Sequence, residues 1–177
     1  RPPGLPIVVD PVMVATSGDV LLDPDAVAAV RRALIPLAEI ITPNLPEAAR
    51  LLDTVAAADE AEMARQGREL LRLGPQAVLV KGGHGEGNQA VDLLIGPGGI
   101  TRLALPRIAT PNTHGTGCTL AAAIAALRAG GTPLETAVRR AKAFVWEALR
   151  SGESLGVGHG HGPVDHLFGI RHRPPPV

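Results

Sequence analysis

The chain holds a single cysteine among 177 residues, which excludes an internal disulfide and with it a disulfide-stapled secreted scaffold. That count agrees with a reducing compartment, and a cytoplasmic location is the expectation. Long hydrophobic runs are missing as well. The longest, such as Leu120 to Leu127, fall far short of the ~20 residues a membrane span needs, and no charged-then-apolar leader opens the chain. Charge of one sign is also absent, since 17 Lys and Arg balance 17 Asp and Glu. The sequence therefore offers neither a basic face for nucleic acid nor an acidic tail, and a small uncharged organic partner fits better. Lysine itself is scarce. Only Lys81 and Lys142 are present in a chain rich in arginine, which reads as a coding bias without functional meaning.

What is there suits one well-buried core, so a single domain over 1–177 is expected, with unstructured tails at 1–6 and 171–177. A strand-helix rhythm runs through it. "PIVVDPV" is a β-branched run ending at Asp10-Pro11, "AEIIT" a second strand closed by Pro43, and "AVLVKGG" a third, each of the kind that is buried on both faces. "DPDAVAAVRRAL" carries an Asp23 N-cap with Pro24 at the first helical position, and "LPEAARLLD" and "ADEAEMARQGRELLRLG" read as further helices. "AVDLLIG" and "ITRLALP" around "GPGG" form a hairpin pattern. Two helices follow. The second should open with a capping box of Thr132 and Glu135 and with Pro133 at its first position. Such alternation implies an α/β layer structure with a mainly parallel central sheet.

In that architecture ligands bind beyond the carboxyl ends of the strands, where "DPVM", "TPNLPE" and "KGGHGEG" place polar residues. A fourth segment, "HGTGCT", starts the alanine-rich helix. Gly115 and Gly117 let consecutive N–H groups converge at the positive end of that helix, which makes an anion site, although a plain Gly-rich helix start explains the same residues. Free donors and the macrodipole there favour the thiolate of Cys118, as nucleophile or proton acceptor; a lone cysteine is otherwise a small buried hydrophobe. Asn44 and Glu47 have the spacing of a helix cap, which needs no metal, yet a carboxylate at a helix start also reaches metal-bound water. His114 lies four residues before Cys118, the arrangement of a Cys-His hydrolase pair, while His159, His161 and His166 are too glycine-flanked for a zinc site.

Five segments, "VVDPVMVATSGDVLL", "ITPNLPEAARLL", "VLVKGGH", "TPNTHGTGCTLAAAIAA" and "GVGHGHGPVDHL", occur in the order found in phosphomethylpyrimidine kinases, and the whole chain resembles the C-terminal two-thirds of that ribokinase-like family. The resemblance implies a three-layer α/β/α fold with its N-terminal part missing, including the first strands and a Gly-rich segment that binds much of the pyrimidine. An exposed sheet edge would follow.

The activity so implied is Mg²⁺-dependent transfer of phosphate from ATP to 4-amino-5-hydroxymethyl-2-methylpyrimidine and then to its monophosphate, for thiamine. By the same resemblance, Gly115, Thr116, Gly117 and Cys118 form the anion hole, with Cys118 as proton acceptor beside the substrate. Lys81, Thr113, Gly115 and Gly117 would contact ATP, Val12 and Cys118 the pyrimidine, and Glu47, Asp10 and Asn44 the metal. For Asp10 a simple turn before Pro11, and for Lys81 a solvated strand end, explain the residues without any ligand. A homodimer is implied as well. A pyridoxal or dual-specificity kinase is the alternative within the superfamily, where the cysteine of "HGTGC" argues against exclusive pyridoxal use. A non-catalytic nucleotide- or pyrimidine-binding module is the alternative outside it.

Overall fold

Among the described residues five strands make one sheet in the order β1 (Val8–Val9), β2 (Ile40–Ile41), β3 (Ala77–Lys81), β4 (Gln89–Gly96) and β5 (Gly99–Pro106). This computed structural model describes residues 4–13, 21–83, 87–157 and 159–171. The outer parts of both expected tails, the second half of "DPVMVATSGDV" and the His84–Glu86 portion of "KGGHGEG" lie outside the described residues. β1 pairs with β2 and β2 with β3 in parallel, while β3–β4 and β4–β5 are antiparallel. Four of the five strands consequently run the same way, with β4 reversed by the hairpin. The parallel crossovers carry helices: α1 (Pro24–Ala29) between β1 and β2, then α2 (Leu45–Leu52) and α3 (Glu60–Leu71) between β2 and β3. α4 (Thr116–Ala129), α5 (Leu134–Gly152) and the short α6 (Phe168–Arg171) follow the sheet.

Strand alternation sorts the apolar residues into two cores. Val9, Ile41, Val78, Val80, Leu93 and Ile95 face Ile35, Leu51, Met63 and Leu70 from the α1–α3 side. Ile40, Leu79, Leu94 and Leu103 face Leu120, Ile124, Val138 and Val145 of α4 and α5. Helices thus cover both sides of the sheet, which is why β2 and β3 read as uninterrupted apolar runs.

Local chemistry sets the helix ends. Asp23 caps α1 by accepting from the Ala26 N–H at 2.7 Å, with Pro24 at the first position. The expected single helix to Leu34 instead widens into a π turn over Val30–Leu34 and tightens into a 3-10 turn over Ile35–Leu37. Pro36 contributes, because it has no N–H to donate back and its ring crowds the carbonyl four residues earlier, while Ile35 before it keeps helical geometry at φ −55° and ψ −44°. The expected capping box at Thr132 does not form. Thr132 is spent on closing α4, its N–H donating to the Leu127 carbonyl at 3.1 Å and its carbonyl accepting from Arg128, so Pro133 caps α5 without a side-chain bond.

Leu79 is fully buried in the α4–α5 core, whereas Val55 is 78% exposed. Urea unfolding should show Leu79→Ala losing about 2–5 kcal/mol and Val55→Ala staying within about 0.5 kcal/mol of the parent.

Candidate functional site

The carboxyl ends of β1 and β3 meet across β2. Lys81 closes β3, and its Nζ reaches over β2 to Asp10 Oδ1 at 2.9 Å, just past the end of β1. Thr42, immediately after β2, donates its hydroxyl to the same oxygen at 2.8 Å. The other oxygen, Asp10 Oδ2, is buried and has no hydrogen-bond partner among the described residues. Both charged side chains are largely shielded from water, so the pair is neither a solvated strand end nor a simple turn residue. Val12, half-buried, donates its N–H back to the Asp10 carbonyl at 2.9 Å and so tightens the turn behind the carboxylate.

Glu47 approaches from α2. Its Oε2 accepts the Asn44 N–H at 2.7 Å while Asn44 Oδ1 accepts the Glu47 N–H at 2.8 Å, a complete capping box. The same Oε2 lies 3.9 Å from Lys81 Nζ. One carboxylate therefore serves the helix start and faces the site at once, which makes the two sequence expectations for this residue compatible. The Asn44 side-chain oxygen is committed to the cap. Burial pushes the Glu47 carboxyl above its ordinary value of 4.5, against the opposing pull of Lys81 and the Asn44 N–H, with Asp10 adding to the rise.

α4 brings the glycines. Gly115 sits at the N-cap with φ 84°, a left-handed conformation that costs glycine little. A Cβ placed on Gly117 would stand 3.2 Å from Lys81 Nζ and 3.9 Å from Asp10 Oδ2, so the bare backbone of the first turn rests on the ion pair. Thr116 gives its N–H, at 3.3 Å, and its hydroxyl, at 2.6 Å, to the Thr113 carbonyl, and Thr119 closes the first regular bond to Gly115 at 2.8 Å. Among the described residues the N–H groups of Gly115, Gly117 and Cys118 have no acceptor. Three of the four expected donors are thus free, and Thr116 is not.

The Cys118 thiol is exposed at one end of an open, mostly apolar groove of about 600 Å³ between α4 and α5, bordered by Ala122, Arg140, Phe144 and His166. His114 does not join it. Its backbone is tied to the late loop, with its N–H donating to the Gly162 carbonyl at 3.0 Å and its carbonyl accepting from Val164 at 3.3 Å. No hydrogen bond links the His114 and Cys118 side chains, and no group of three metal-binding side chains exists among the described residues. The Cys-His hydrolase alternative has no geometric support.

Sequence reasoning missed the residues that hold these parts in place. Asn112, buried, donates to the carbonyls of Gly152 and Leu155 at 2.7 and 2.9 Å, and so fastens the loop before α4 to the end of α5. Asp165 accepts from Ser151 at 2.9 Å, and His166 Nε2 lies 2.8 Å from Thr119 Oγ1. The quoted "GVGHGHGPVDH" segment carried a signal for the last two, and Asn112 stood inside "TPNTHG" without any feature of its own.

The family model described as phosphomethylpyrimidine kinase matches residues 2–165. A Rhizobium meliloti protein named hydroxymethylpyrimidine/phosphomethylpyrimidine kinase is 56% identical over 160 residues, 90% of this chain and 60% of its own length. Staphylococcus aureus pyridoxal kinase in complex with ADP superposes with a TM-score of 0.85 at 34% identity, covering 93% of this chain and 59% of that one. A Clostridium difficile phosphomethylpyrimidine kinase does so with a TM-score of 0.68 at 40% identity, over 82% and 58%. These structures share the ribokinase-like layering. The chain spans about 60% of the length of the Rhizobium meliloti and Escherichia coli relatives.

Two tests follow from the geometry. Gly117→Ala should push the Lys81 ammonium off Asp10, read as a changed Lys81 side-chain NMR signal; an unmoved signal would show that the turn yields instead. Because Glu47 is raised in the folded state, its ionised form costs stability above its folded value, and that cost fades as pH falls toward 4.5. Glu47→Gln, which keeps a capping-box acceptor, should therefore unfold at the same or higher urea concentration than the parent at pH 7, with the difference closing by pH 4. A clear loss at pH 7 would mean that the charged carboxylate is net stabilising.

Proposed function

The chain belongs to the phosphomethylpyrimidine kinase family, and from that premise we propose that it carries the ATP-dependent phosphorylation of 4-amino-5-hydroxymethyl-2-methylpyrimidine and its monophosphate, residues 1–177 forming one kinase unit. The observation that carries the reading is the meeting of Lys81, Asp10 and the unpaired N–H groups of α4 at one point. Phosphoryl transfer asks a protein for positioning and charge neutralisation more than for covalent chemistry. Those three groups supply both.

In this reading the N–H groups of Gly115, Gly117 and Cys118 receive the charge that develops on the moving phosphoryl group, backed by the helix dipole. Lys81, and Thr113 at the loop edge, hold the phosphates of the nucleotide. With the hydroxymethyl substrate, the hydroxyl oxygen forms a bond to the γ-phosphorus while the bond to the β–γ bridging oxygen breaks and ADP leaves, the hydroxyl proton passing to Cys118 as its thiolate; with the monophosphate, a phosphate oxygen attacks in the same way and no hydroxyl proton is released. Val12 and the open space beside Cys118 border the pyrimidine.

The residues also fit Mg²⁺. Asp10 Oδ2 is a buried oxygen without a partner among the described residues, Glu47 lies 3.9 Å from the Lys81 ammonium that pairs with Asp10, and a hard cation that keeps its waters binds through such carboxylates. When bound, the ion neutralises charge on the phosphate oxygens. Asn44 contributes by fixing Glu47 through the cap.

The pyridoxal kinases among the structural neighbours favour a second activity on pyridoxal at the same site. ADP formation with Mg²⁺-ATP and the pyrimidine, its monophosphate or pyridoxal, against a blank without acceptor, tests both readings. Turnover on the pyrimidine pair is expected. Nucleotide binding without ADP formation on any acceptor, both in this chain and in one extended upstream to the length of its relatives, would instead make it a binding module. Cys118→Ala should lose about 10²-fold or more in turnover with nucleotide affinity unchanged, and parental turnover would remove the proton-acceptor role. Glu47→Gln should need more Mg²⁺ for half-maximal rate; an unchanged requirement would leave that residue only its cap.

A further inference from the structure

The chain has two lysines, and each pairs with an aspartate, Lys142 buried and Lys81 half-buried. Lys142, in the middle of α5, places its Nζ 2.6 Å from Asp92 Oδ2 and 3.0 Å from the Ala90 carbonyl. Asp92 Oδ1 accepts the Gly82 N–H at 3.0 Å. Both carboxylate oxygens are therefore filled from within the protein.

Asp92 occupies a particular place in the sheet. In the β3–β4 ladder it stands directly opposite Lys81. Opposed residues of an antiparallel pair point to the same face with Cβ atoms about 4.5–5.5 Å apart, well within the reach of a lysine side chain. Asp92 is thus the carboxylate that sequence register offers to Lys81, and in a site so poorly hydrated an unpaired one would attract the ammonium strongly. Lys81 nevertheless turns the other way, across β2 to Asp10. Gly82 holds the turn after Lys81 in place, because a Cβ there would collide with the Val91 carbonyl and stand 2.9 Å from Met63 Cε.

We propose that Lys142 is a positioning residue for Lys81: it engages the carboxylate that faces Lys81 across the ladder and so leaves the Lys81 ammonium to Asp10 and the start of α4. A compact ammonium suits the task, since it satisfies one carboxylate oxygen and one carbonyl in a closed space where the wide fork of arginine would need more donors matched. The scarcity of lysine is then not simply a coding bias. The loss of phosphate contact that follows from misdirecting Lys81 rests on the function proposed above, whereas the direction of its side chain stands independently of it.

The test uses the whole chain labelled at lysine Cε and Nζ, which gives two side-chain NMR signals, assigned by Lys142→Met. In the parent, Asp10→Asn should move the Lys81 signal and Asp92→Asn should leave it nearly in place. In the Lys142→Met background the pattern should invert, with Lys81 responding to Asp92→Asn and no longer to Asp10→Asn. Should Lys142→Met fail to fold, Lys142→Gln keeps a donor for the Ala90 carbonyl and carries the same comparison. A Lys81 signal that is unchanged by loss of Lys142 and still follows Asp10→Asn overturns the proposal. In the ADP assay Lys142→Met should lose about 10-fold or more in kcat, Asp92→Asn should stay near the parent, and the Lys142→Met/Asp92→Asn double variant should recover. Equal losses in the two single variants would mark a purely structural brace and also overturn it. A parent chain silent in the ADP assay but showing the inverted NMR pattern would sink the proposed function and leave the positioning role intact.

Discussion

The ion pair between Lys81 and Asp10 ties the ends of two strands that are not neighbours, and the site is arranged around it. β1 and β2 pair over only two residues each, so few ladder bonds hold the end of β1. The lysine adds a long-range tie across β2, reinforced by the Thr42 hydroxyl on the same carboxylate oxygen. A pair so shielded from water is poor evidence for stability, because desolvating both charges offsets much of their attraction. Removing one partner alone costs about 3–5 kcal/mol. Such a pair is consistent with a working site that needs charge at the ends of strands whose packed faces are mostly apolar.

Everything that converges on the pair comes from a strand end or a helix start. Glu47 arrives through a capping box, and Gly117 through a first turn with no side chain to intervene. The bare helix end is a direct outcome of glycine at positions 115 and 117: a serine or aspartate cap would satisfy the donors that now remain open. Instability is avoided elsewhere, where Asn112 and Asp165 fasten the loops on either side of α4 and α5 with buried hydrogen bonds. Among the described residues, the donors at the helix start and the nearby Asp10 Oδ2 are therefore left free, while the loops that flank them are fastened.

How much of this the sequence revealed depends on whether the cause is local. The cap at Asp23, the hairpin around Gly98 and the buried run of β3 arise from adjacent residues and were legible. Asn44 and Glu47 were legible as a cap or as a site, and local spacing could not separate two roles that the structure shows to be compatible. The failures had distant causes. Thr132 looked like a helix cap until Arg128, on the preceding helix, claimed its carbonyl. Asp92 and Lys142 are 50 residues apart and belong to no motif, so their contact depends on register and helix packing that no window of sequence contains.

In the proposed function, Lys81 and the open N–H groups of α4 form one phosphate-binding point. Titrating the ¹⁵N-labelled chain with Mg²⁺-ADP puts this to the test. Saturable shifts of the Gly115, Gly117 and Cys118 amides together with the Lys81 side chain are the predicted result. Binding that moves other residues and leaves these four at their starting positions would contradict it.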